Sequence, residues 1–159
     1  MKQVQERFRE RGVGDDLIVR TSVRLLVPFV QLFGMYVIVH GHYSPGGGFQ
    51  GGVLLGASFI LLALAFDLKE SLRKFPERIN NLLGNAGALI FTGTGLLCAL
   101  VGGLFLDYSA LARLFPMDPI EWRSFGIFIV EVGVGLAVMS IMVSLYWDLS
   151  SNGDLDEGL

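Results

Sequence analysis

The chain has 159 residues, 52% of them apolar, and a mean hydropathy of +0.58. A soluble domain of that size could not bury so much apolar surface, so a bilayer is the simpler solvent. The formal net charge of −3 conceals a basic front half and an acidic tail, a balance that argues against nucleic acid as a partner.

Residues 1–21 are mostly polar, with no short apolar run leading to a small-residue cleavage site, so no cleaved signal peptide is expected. The first stretch long enough for a membrane helix covers residues 22–40. Arg24 is placed at its interface, with its stem along the apolar surface, and Pro28 near its first turns. A span needs roughly 20 residues at about 1.5 Å each to cross a hydrocarbon core of about 30 Å.

Between this span and the next runs His40-Gly41-His42-Tyr43-Ser44-Pro45-Gly46-Gly47-Gly48-Phe49-Gln50-Gly51-Gly52, far too rich in glycine for an ordinary short loop. Ser44 followed by Pro45 reads as an N-cap with proline at the first helical position, which starts a second span over residues 46–66. Glycine backbone this bare must pack on protein, because lipid cannot satisfy it. Gly48, Gly52 and Gly56 recur every fourth residue, a ridge that lets another helix approach closely; Gly46, Gly47 and Gly51 belong to the same packing motif. A phosphate-binding loop does not fit, since no lysine follows the glycines.

Asp67 marks the end of the second span. Leu68, Leu72, Phe75, Ile79 and Leu82 then recur at spacings of three and four with basic residues between them, which predicts an amphipathic interfacial helix bent at Pro76. The third span is expected over residues 83–106, with a small-residue ridge at Gly95, Ala99 and Gly103, and the fourth over residues 125–147. Cys98, the single cysteine, reads as a small core residue and excludes both an intrachain disulfide and a multi-cysteine metal site. Tyr108, Trp122, Tyr146 and Trp147 fall near predicted boundaries, as an aromatic belt would.

The expected fold class is therefore all-α: an integral membrane protein with four transmembrane helices. A cytoplasmic segment 1–21 precedes the membrane domain 22–149, and an acidic cytoplasmic tail 150–159 follows it. Lys2, Arg7, Arg9, Arg11, Arg20 and Arg24 lie around the start of the first span, and Lys69, Arg73, Lys74 and Arg78 lie between the second and third. Only Arg113 and Arg123 fall on the other side, so the positive-inside rule puts both termini in the cytoplasm.

Glu131 is the one carboxylate well inside a predicted span, roughly 9 Å from the end of the fourth. A charge at mid-membrane costs about 2.5 kcal/mol or more, so such residues face protein or a water path. His40 and His42 lie at the same outer depth and change charge near neutral pH. Glu131, His40, His42, Asp67 and Gln50 are the candidates for an ion or proton pathway; interface anchoring for Asp67 and helix capping for the histidines are the structural readings beside it. Two histidines and a distant acid are too few for a metal site, and no nucleophile and base stand at a catalytic spacing.

The run Gly41 to Gly52 resembles the hallmark of the B subunit, or MnhB type, of the multisubunit Mrp cation/proton antiporters. Ala65-Phe66-Asp67-Leu68-Lys69 and Glu131-Val132-Gly133-Val134-Gly135-Leu136 are similar to further parts of that family. The resemblance implies a small, non-redox subunit of a plasma-membrane assembly that exchanges Na+ for H+. It implies other Mrp-type membrane subunits as partners, no catalytic centre and no bound cofactor, Na+ and H+ being cargo. The same kind of subunit occurs in membrane-bound hydrogenases and related sulfur-reducing complexes, where a redox arm drives the module. Whether the chain lines the ion path or only packs its neighbours together is open at this point.

Overall fold

A computed structural model describes residues 17–41, 46–66, 68–113 and 118–151. Four helices among them are long and apolar enough to cross a membrane. They are α1 (Leu17–Val39), α2 (Gly47–Phe66), α4 (Glu77–Leu100) and α5 (Pro119–Ser150). A short α3 (Leu68–Lys74) joins α2 to α4, and a 3-10 segment, Tyr108–Arg113, precedes α5.

The helices do not close into a symmetric bundle. α1 packs on α2, α2 on α5 and α5 on α4, which makes α5 the hub of the fold, and the 3-10 segment also leans on it. Outer faces of α1 and α4 stay uncovered, among them Leu25, Phe29 and Leu32 on α1 and Leu82, Leu89 and Leu100 on α4. In water such faces would drive aggregation; in a bilayer they meet lipid or neighbouring subunits.

Small residues make the seams. A side-chain carbon at Gly52 would lie 2.6 Å from the Gly135 carbonyl oxygen, and one at Gly56 would lie 3.2 Å from Met142. Gly48, Gly52 and Gly56 therefore set α2 down along α5 from Glu131 to Met142. Gly51 faces the other way, into Ile38 of α1. On the far side of the hub, a carbon at Gly87 of α4 would fall 2.7 Å from the Ala137 backbone nitrogen. The expected ridge at Gly95, Ala99 and Gly103 plays no such part. The Phe105 ring covers Gly95, Ala99 is exposed, and Gly103 lies beyond the helix end.

Several boundaries differ from expectation. α4 begins and ends six residues earlier than the predicted third span. Asn80, which precedes the expected span, is fully buried on α5. Its amide donates to the Ser140 carbonyl at 3.0 Å and to the Ser144 hydroxyl at 2.8 Å, while the Ser140 hydroxyl donates to the Asn80 carbonyl at 2.7 Å. Beyond Leu100 the chain leaves the helix through Gly102 and Leu106, both at positive φ. α1 starts at Leu17, so Pro28 sits inside the helix instead of at its first turns.

The predicted amphipathic helix is cut at Pro76, whose extended backbone caps α4. Ile79 and Leu82 belong to α4, while Leu68, Leu72 and Phe75 pack around Trp147 and Phe59. The Phe59 and Phe75 rings stack at 4.6 Å between centroids. Trp147 is only 2% exposed, so it is a core residue of the hub and not part of an aromatic belt.

Candidate functional site

The carboxylate of Glu131 lies where the α1–α2 turn meets the middle of α5. Glu131 follows the start of α5 by about 18 Å of helix, so α5 reaches well past the level of the turn. Gly41 and Gly47 stand directly against the two carboxylate oxygens, and Gly48 stands against the Glu131 backbone. A side chain at Gly41 or Gly47 would occupy the space of the carboxylate, and one at Gly48 would push α5 away. The glycines thus form a cradle around one acidic group.

Local chain geometry aims the cradle. Gly46 sits at φ +134°, a conformation that L side chains rarely adopt, and turns the chain into α2. Its carbonyl accepts the first ladder bond, from the Gln50 amide at 3.1 Å. The amides of residues 47–49 precede any intrahelical acceptor, so α2 presents its positive end to the half-buried Glu131 carboxylate. An anion in such a partly buried place gains up to about 2 kcal/mol from the helix end.

Tyr108 reaches the same region from the 3-10 segment, outside the four spans, with its ring covering Gly126 of α5. Burial raises the Tyr108 phenol above its ordinary pKa, with the Glu131 carboxylate pushing the same way. It stays a neutral hydroxyl, able to donate or accept a hydrogen bond, through the physiological range. Asp107 beside it accepts from the Ser109 hydroxyl at 2.5 Å, which fixes the start of the segment.

The other expected residues are distributed differently. His40, next to the cradle at the end of α1, is exposed; its ring stacks on Tyr36 at 4.1 Å, with Nδ1 3.1 Å from the Tyr36 carbonyl oxygen. Gln50 is exposed and folds its side chain over Gly46. His42, Pro45 and Asp67 lie outside the described residues. Gly46, Gly47 and Gly48 belong to the cradle, while Gly51, Gly52 and Gly56 lie on the helix seams. Among the described residues, no group of three or more His, Cys, Asp or Glu could hold a metal ion.

Sequence reasoning missed Gly41 as a wall of the cradle, Tyr108 as a neighbour of Glu131, and the Asn80–Ser140–Ser144 network. Ser140 and Ser144 stand four apart in an otherwise apolar helix, a signal that a polar partner faces them. Nothing comparable in the sequence marks Tyr108.

Comparison with known proteins agrees with this architecture. A family model described as a domain related to the MnhB subunit of Na+/H+ antiporter matches residues 18–144. Two relatives, both named "Putative antiporter subunit mnhB2", come from Staphylococcus haemolyticus and Staphylococcus aureus strain Newman. The first is 35% identical over 136 residues and the second 32% over 137, each match covering 86% of this chain and 95% of the relative. A chain in the structure of the membrane-bound sulfane sulfur reductase, an archaeal respiratory membrane complex, is 33% identical with a TM-score of 0.53; the match covers 79% of this chain and 56% of that longer one. The glycine-cradled, four-helix chain belongs to the MnhB family of Na+/H+ antiporter subunits.

Proposed function

We propose that Glu131 and its glycine cradle form a station on the path by which Na+ or H+ reaches or leaves the outer face of the assembly. The observation that carries this reading is the placement of one intramembrane carboxylate against bare helix-end backbone, with nothing bulkier than hydrogen on the glycines beside it. A carboxylate there can be held as an anion by the helix end, or neutralised by a proton or a sodium ion at modest cost. Tyr108 supplies a neutral hydroxyl nearby, and His40 stands beside the turn at the end of α1. Charge asymmetry in the sequence supports both termini and α3 on the cytoplasmic side of the plasma membrane, with the cradle toward the outside. α3 then lies at the inner interface.

The partners are the other membrane subunits of an Mrp-type antiporter. Four helices with uncovered apolar faces and one central acid are too few for an independent exchanger, so this chain acts within the assembly. Deleting it should abolish sodium-dependent proton flux in everted vesicles, and restoring the full chain should return it. Undiminished flux after deletion would refute a role in transport. A reporter fused after Leu159 that is active only in the cytoplasm should be active; an inactive one, with an exported reporter active instead, would reverse the orientation.

Similarity to a chain of an archaeal respiratory complex favours a second setting, the ion-translocating module of a redox-driven assembly. Affinity purification of the tagged chain separates the two. Antiporter subunits alone would indicate a stand-alone exchanger, whereas co-purifying iron–sulfur or nickel proteins would indicate a respiratory module.

A further inference from the structure

Three cationic side chains converge on a single ring at the end of the fold opposite the cradle. The Arg24 guanidinium lies 5.0 Å from the Phe66 ring centroid, the Lys74 ammonium 5.4 Å and the Arg20 guanidinium 5.8 Å. They come from α1 and α3, while Phe66 is the last residue of α2, so three elements meet at this corner. Cation–π attraction to the ring gathers these side chains at one corner.

Arg20 and Arg24 stand four residues apart on α1 and turn to the same ring. The Arg20 Nε is moreover shielded from solvent without a hydrogen-bond acceptor. A buried guanidinium donor of that kind calls for an anionic oxygen from outside the chain.

Beside the cations runs an apolar groove of about 120 Å³, lined by Phe59, Leu62, Phe66, Ser71, Lys74 and Phe75. Its basic end coincides with the ends of α1 and α2, the height at which lipid phosphates lie. Its apolar end descends along α2 toward Phe59. A free anion would use the cations and leave the groove empty; a phospholipid would use both.

We infer that this corner binds one anionic phospholipid, its phosphate on Arg20 and Arg24 and the upper part of one acyl chain in the groove. The bound lipid would tie the start of α1 to the end of α2.

The test uses the full-length chain, purified in neutral detergent, delipidated and titrated by native mass spectrometry. The titrants are phosphatidylglycerol, phosphatidylethanolamine with the same acyl chains, and inorganic phosphate. Phosphatidylglycerol should be retained at one per chain, phosphatidylethanolamine at least about tenfold more weakly, and millimolar phosphate should not displace the lipid. Joint Arg20→Gln and Arg24→Gln replacement should weaken phosphatidylglycerol binding about 30-fold. Raising the salt concentration should weaken wild-type binding, since the headgroup contact is ionic.

Equal retention of the two lipids, or salt-independent binding by the wild type, would overturn the inference even if the double variant failed to fold. Stoichiometric displacement by phosphate would reduce the corner to a simple anion site and likewise overturn it. Each result is independent of whether Glu131 carries an ion.

Discussion

Gly48→Ala should reduce the amount of assembled complex several-fold, although the change adds one methyl group to one helix. The new carbon would fall 2.7 Å from the Glu131 carbonyl carbon and 2.8 Å from its Cα. Those atoms are backbone of the hub helix and cannot rotate away as a side-chain tip would. Relief requires α2 and α5 to separate, which loosens the contacts at Gly52 and Gly56 below and pulls the cradle off the carboxylate. Overpacking of this kind costs about 1–3 kcal/mol, and about 2 kcal/mol corresponds to roughly a 30-fold shift in a folding or docking equilibrium. Gly93→Ala is the internal control, because a carbon there meets nothing within 4 Å. It should leave assembly unchanged, and alanine's better helix propensity favours α4 by up to about 1 kcal/mol. Blue-native electrophoresis of membranes carrying each variant checks both. Equal yields for Gly48→Ala and wild type would mean that the α2–α5 seam is looser than its geometry implies.

The same geometry explains which parts of the fold were legible in the sequence. Four apolar runs announced four helices because a membrane helix must satisfy its own backbone and is nearly apolar over its whole length. Register was harder to read in α4. Asn80 resembles a loop residue until Ser140 and Ser144 are known to face it, and the apolar run after Leu100 resembles helix until Gly102 and Leu106 turn it aside. Both corrections depend on contacts or backbone angles that hydropathy does not encode.

For the site, the depth of Glu131 and the oddity of the glycine run were each visible, separated by some eighty residues of sequence. Their meeting was not, because it follows from α5 lying beside α2 instead of elsewhere in the fold. Tyr108 was invisible for the same reason. The aromatic-belt pattern accounted for it, and only the path of the 3-10 segment carries it to α5. The sequence likewise puts ten basic residues on one side of the membrane but does not show that three of them share the ring of Phe66.

Glu131→Gln should cut sodium-dependent proton flux by on the order of 100-fold, the scale on which removal of a positioned proton carrier slows a transfer step. Glutamine has nearly the same shape, so Gly41, Gly47 and Gly48 can still close around it and the assembly should form in normal yield. What disappears is the charge that the α2 end holds and the site where a proton or sodium ion would neutralise it. Glu131→Asp keeps the charge but withdraws it by one methylene from the cradle. It should retain partial flux and require more sodium for half-maximal exchange, a signature that a purely structural residue would not give. Fluorescence-quench assays in everted vesicles, normalised to assembled complex, supply both readings. Full flux in the Gln variant at normal assembly would show that the carboxylate only packs the turn against α5. A Gln variant that fails to assemble while Asp assembles would show that the helix-end charge interaction holds the fold together. Loss of flux with assembly intact is the outcome expected if the cradle serves an ion as well as a helix.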